Sequence, residues 1–170
     1  MFISKHLEIG GIFTYSVDEQ FNIPGNCTID STGISTFAKG VAVCGSFTDN
    51  GKWETDADKG TITFIGSDAA TFKASENSKY NIVLNDSDKE LTFIETKANV
   101  TKLTVTNAAA LKFQCDADIE TFSDTADSLK LEIGYIDASN SSNNKSAKVT
   151  INKLDGNTLN SKEVVINSEL

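Results

Sequence analysis

The segment from Ile62 to Ile133 repeats itself, and this limits the chain more than any other feature, because internal periodicity decides an architecture before local propensities do. ITFIGSDAATFKA from Ile62, IVLNDSDKELTFI from Ile82 and LTVTNAAALKFQC from Leu103 align as strand, polar turn, strand. A looser copy, IETFSDTADSLKLEI, begins at Ile119, and VAVCGSFTDNGKWET from Val41 is looser still. The second strands start at Ala70, Leu91, Leu111 and Leu129, which spaces the copies 21, 20 and 18 residues apart. Within the strands apolar residues alternate, as in Ile62 and Phe64, Ile82 and Leu84, Leu91 and Phe93, or Leu103 and Val105. A period of two means β structure with one face buried.

Most of these strands commit two or three residues inward. Barrel strands are usually longer, whereas solenoid coils manage with short strands because each coil stacks on the next. The expected fold is therefore all-β, a short-stranded repeat architecture with a parallel β-solenoid favoured. The alternative is an antiparallel meander, barrel or sandwich, since connections such as GSDA and DSDK also suit hairpins built on type I turns. Gly51-Lys52-Trp53 resembles the Gly-x-Trp of the first strand of lipocalin-type barrels, and that resemblance implies a small-ligand-binding barrel as the rival function.

Three regions are expected along the chain. Residues 1–40, with IGGIFTYSV and QFNIPGNCTIDSTGISTF, read as irregular N-terminal strands that cap the first coil. Residues 41–137 hold the degenerate repeats of about twenty residues. Residues 138–170 read as a polar loop, DASNSSNNKSAK, and a C-terminal hairpin of KVTINKL and KEVVINS about a DGN turn.

The run NVTKLTVTNAAALKFQCDADIETFSDTADSLKLEI, from Asn99 to Ile133, resembles the short degenerate leucine-rich repeats of bacterial surface proteins and some phage proteins. Val100, Leu103, Val105, Asn107, Leu111 and Cys115 occupy that pattern, and Asp124 departs from it, standing where an apolar residue belongs. The resemblance covers about a fifth of the chain and implies a leucine-rich-repeat-like solenoid used for binding or construction rather than catalysis.

Charge excludes other classes. The net charge is −9 and all fifteen cationic residues are Lys, with no Arg to supply a planar fork for phosphates or base edges. Nucleic acid is therefore not an expected partner. No window approaches a membrane span, so no membrane insertion is expected, and the N-terminal MFISKHLEIGG lacks the apolar run of a signal peptide.

Candidate chemistry is sparse. The single histidine, His6, sits where a packed or frayed side chain is expected rather than a general base. Cys27, Cys44 and Cys115 lack metal-pair spacing and read as small buried residues, with a Cys27 to Cys44 bridge as the alternative. Asp86 and Asp88 resemble the start of a calcium loop, but no DxDxDG run and no twelfth-position glutamate follow, and the sister turns discard the acids. They read as turn formers. Trp53, Tyr80 and Tyr135 would stack on a glycan if they faced solvent together, and would belong to the core otherwise. No catalytic residue, no cofactor and no metal are assigned, and the chain is not expected to be an enzyme. The expectation is a structural or attachment module of a virion or cell surface, such as a secreted adhesin. Its partners would be other protein subunits, copies of itself, or surface glycans.

Overall fold

In the computed structural model, which describes residues 5–54, 60–127, 129–155 and 163–166, the chain winds as a parallel β-solenoid. The first three turns have three sides: β1 (Leu7–Ile9), β2 (Ile12–Tyr15) and β3 (Phe21–Ile23); β4 (Cys27–Ile29), β5 (Ile34–Phe37) and β6 (Val41–Val43); β7 (Phe47–Asp49), β8 (Lys52–Trp53) and β9 (Thr61–Phe64). The later turns have two: β10 (Ala70–Lys73) and β11 (Tyr80–Asn85), β12 (Glu90–Phe93) and β13 (Ala98–Asn107), β14 (Ala110–Phe113) and β15 (Ala117–Asp124), β16 (Lys130–Ile133) and β17 (Val149–Ile151), followed by β18 (Glu163–Ile166).

Three sheets result. The first runs β1-β4-β7-β10-β12-β14-β16-β18, the second β17-β15-β13-β11-β9-β6-β3, and the third, confined to the N-terminal turns, β2-β5-β8. Each strand pairs in parallel with strands one turn away, and no two consecutive strands pair, which excludes the antiparallel meander, barrel and sandwich among the described residues.

Two boundaries change. Within residues 1–40 the described part, 5–40, is not an irregular cap but turns of the same coil, since Leu7, Cys27 and Phe47 stand in one register line. Their repeat is hidden in sequence because a third strand and extra corners interrupt the alternation. The C-terminal hairpin is not formed among the described residues, Gly156 and Asn157 of its expected turn lying outside them: Val149–Ile151 pairs with Ala117–Ile119 in the second sheet, while Glu163–Ile166 pairs with Lys130–Ile133 in the first. Each segment extends an existing ladder, so its backbone groups find partners that a separate hairpin would have left unpaired on both sheets.

Because side chains alternate across a strand, register turns each inward position into a column along the axis. One column of the first sheet is Phe47, Phe72, Phe93 and Phe113, with successive ring centroids 5.9, 5.1 and 4.7 Å apart. Opposite it, Val41, Ile62, Ile82, Leu103 and Phe122 form a column of the second sheet. These residues are at most 1% exposed, and each contributes roughly 1.5–3 kcal/mol of burial. The wider N-terminal turns are filled by Phe13, Tyr15, Phe21, Phe37 and Trp53 in mutual ring contact.

Corners carry their own ladder. Asn26 N–H donates to His6 Nδ1 (3.1 Å), Ser46 N–H to Asn26 Oδ1 (2.9 Å), and Thr71 N–H to Ser46 Oγ (2.9 Å), so one corner is tied turn to turn by side chains. His6 is the first rung of this ladder. Gly40 turns another corner at φ +81°, where an added Cβ would stand 1.9 Å from the Thr61 carbonyl oxygen.

Candidate functional site

Three charged side chains, Asp49, Lys89 and Asp124, are buried in the coil among the described residues, and Asp124 Oδ1 accepts from Ala126 N–H (3.1 Å). Asp49 continues the column of Ile9 and Ile29, yet it is fully buried as a carboxylate position among apolar ones. Its Oδ1 accepts from Gly51 N–H (2.9 Å), and its Oδ2 accepts from Trp53 N–H (3.1 Å), Ser78 Oγ (3.1 Å) and Tyr80 OH (2.7 Å). The Tyr80 oxygen in turn accepts from Ser75 N–H (2.7 Å), and Ser75 Oγ donates to the Gly51 carbonyl (2.7 Å). This network joins the last strand of the third sheet to the first two-sided turn. It resolves the mismatch in cross-section by supplying acceptors where the ladder stops. Burial, and next the Asp49 charge, drive the Tyr80 phenol far above its ordinary range, so it remains a neutral donor.

Lys89 is the second. It points inward from the Asp86–Asp88 turn, is fully buried, and its Nζ donates to the carbonyls of Cys44 (2.6 Å), two turns back, and Asp68 (2.8 Å), one turn back. Burial lowers its pKa from that of an exposed lysine, with opposing contributions from Cys44, Asp68 and Asp86. The ammonium binds successive corners together.

The Asp86 and Asp88 turn holds the chain. Asp86 Oδ1 accepts from Asp88 N–H (3.3 Å), and its Oδ2 accepts from Gly66 N–H (3.1 Å) at the equivalent turn twenty residues earlier. Asp88 is exposed. Among the described residues no three His, Cys, Asp or Glu side chains gather as metal ligands.

The three aromatic candidates are not brought together at the surface. Trp53 and Tyr80 are 2% and 1% exposed, so neither offers a ring face to a sugar, and Tyr135 alone is half-buried beyond β16. The glycan-stacking platform is overturned for the same reason that the core fills: the wide turns need large rings inside. Cys27, Cys44 and Cys115 are free, which removes the Cys27 to Cys44 bridge. Burial pushes the Cys27 thiol up to about 12 and the Cys115 thiol up to about 11.

The surface offers a concavity on the second sheet. On the outer face of the second sheet a groove of about 440 Å³ runs across β9, β11, β13 and β15. Its floor is a register line of Thr61, Asn81, Lys102 and Thr121, with Thr101 and Thr104 beside it. The groove arises where the pairing of β11 with β13 shifts between Tyr80 and Asn81, leaving Thr101 extra on its strand. Sequence reasoning missed Asp49, Lys89 and this groove. Asp49 could have been flagged, since it falls twenty residues after Ile29 and forty after Ile9.

Comparison with protein-family models, with curated proteins and with solved structures gives no match.

Proposed function

We propose that the chain is a non-catalytic structural or attachment module of a virion or a cell surface, acting through protein contacts. The observation that supports this reading is the commitment of its buried ionisable groups to the coil itself. Asp49 and Lys89 bracket successive turns by hydrogen bonds rather than facing a cleft. A filled apolar interior with turn-to-turn brackets is what a rigid rod needs, because stability in stacked repeats is a sum of nearest-neighbour interfaces. The barrel reading requires an enclosed ligand cavity, typically a few hundred Å³. The enclosed apolar space at the last turns, between Phe122 and Leu131, is about 50 Å³.

The test is where the protein resides in its own host. Virions and surface fractions are purified and their protein content is quantified by mass spectrometry. The chain is expected as a stoichiometric component of one of these assemblies. Recovery solely as a free cytosolic monomer would sink the reading, as would polysaccharide turnover abolished by one carboxylate substitution.

A further inference from the structure

We propose that the groove on the outer face of the second sheet binds an acidic oligosaccharide lying along the solenoid axis, a site that deepens the attachment reading above and rests on it. Four features support this. The groove is concave, and its volume of about 440 Å³ falls in the range of small-ligand sites. Its floor repeats hydroxyl, amide and ammonium groups, Thr61, Asn81, Lys102 and Thr121, one per strand at ~4.8 Å and so for ~14 Å along the axis. That is the arrangement an extended polyhydroxylated, acidic chain can follow, exchanging hydrogen bonds with the hydroxyl and amide rungs and accepting from the Lys102 ammonium.

The third feature is charge. The protein carries −9 overall, yet no carboxylate lines the groove, and Lys102 at its centre is exposed with no ion pair among the described residues. The neighbouring acid Glu120 is already paired with Lys79 (2.9 Å). A groove swept clear of acid on an acidic body is complementary to an anion. The fourth is the position of the aromatic rings: with Trp53 and Tyr80 inside, no indole or phenol lines the groove, so a neutral sugar lacks a stacking partner and binding depends on charge and hydrogen bonds. Glycoside hydrolysis uses a pair of carboxylates, and none lines the floor, so the lining supplies no hydrolytic pair.

The experiment is calorimetric titration of the whole chain with tetragalacturonate, a sulfated tetrasaccharide of similar length, neutral cellotetraose, and a short single-stranded DNA as a polyanion control. At least one acidic sugar should bind saturably at millimolar concentration or below, at least about tenfold more tightly than cellotetraose and the DNA. Which of the two binds identifies the acid group. Lys102→Glu and Thr104→Glu should each weaken it by about tenfold or more, and Thr92→Glu on the first sheet should leave it unchanged. Circular dichroism checks that each variant is folded, and Lys102→Ala supplies a milder version of the same loss. Absence of saturable binding, equal binding of cellotetraose or DNA, or binding indifferent to Lys102 would each overturn the site. The wild-type comparison among ligands decides even if a variant misfolds. Failure here leaves the assembly measurement to stand or fall by itself.

Discussion

At the scale of the residue, the chain places charge where its pattern asks for hydrocarbon, and it does so at corners. Asp49 has four donors on it, so removing the carboxylate leaves Tyr80, Ser78 and Gly51 N–H without their acceptor, while Trp53 N–H keeps only Ser78 Oγ (3.0 Å). Asp49→Ala is expected to lower unfolding stability by about 3 kcal/mol or more in urea titration, while Tyr80→Phe, which orphans Ser75 N–H but leaves Asp49 three donors, costs about 1–2 kcal/mol. Equal effects would mean that the phenol rather than the carboxylate organises the corner. Lys89 allows a test in pH. Its folded pKa is lowered below 10.5, so between the two values the unfolded chain holds a proton that the folded chain has released, and stability rises with pH across that window. A neutral amine still has two N–H groups for the Cys44 and Asp68 carbonyls. Lys89→Met lacks this term, so the stability gap between parent and variant should widen from neutral pH to just below 10.5. A gap that stays constant or narrows would show that Lys89 remains an ammonium throughout.

At the scale of the element, the strands of the repeat were legible because their signal is local. Ile82, Leu84, Leu91 and Phe93 alternate in sequence, and all four are completely buried. What local alternation cannot reveal is register. The segments around Val149 and Glu163 look like hairpin partners because they are neighbours in the chain, yet each pairs with a strand one turn back. The groove was illegible for the same reason, since Thr61, Asn81, Lys102 and Thr121 acquire meaning only once a bulge near Thr101 sets them in one line. Asp49 was hidden by chemistry, because aspartate before Asn-Gly reads as a turn former and Gly51 N–H does donate to it in that way. The Asp86 turn is the opposite case, where the plain reading suffices. Asn keeps one acceptor oxygen, enough for the Gly66 N–H of the sister turn, and gives up only the long 3.3 Å bond from Asp88 N–H, so Asp86→Asn with Asp88→Asn should leave the melting temperature nearly unchanged, with calcium or without. A large loss that depends on calcium would reveal a metal at that turn.

At the scale of the whole molecule, the two cross-sections pose the remaining question, which is whether the coil is one cooperative body or a stack of similar layers. The Phe93 and Phe113 rings occupy the same column one turn apart, 4.7 Å between centroids, so excising residues 94–113 removes one turn and brings Phe93 directly before Gln114. After excision β11 meets β15, setting Ile82 against Phe122 and Leu84 against Asp124, the residues that stood against Leu103 and Val105 on either side. The Asp49 and Lys89 brackets lie outside the deletion and survive it. Stability that is a sum of turn energies and nearest-neighbour interfaces tolerates such a loss. The shortened chain should fold with a β-type circular dichroism spectrum and unfold with a smaller denaturant slope, because the slope scales with the surface that unfolding exposes. It should also lose the acidic-sugar binding proposed for the groove, since Lys102 and Thr104 go with the deleted turn. An unfolded or aggregated product would mean that the three-sided and two-sided parts depend on each other through more than adjacent layers, and the coil would then have to be treated as a single closed core.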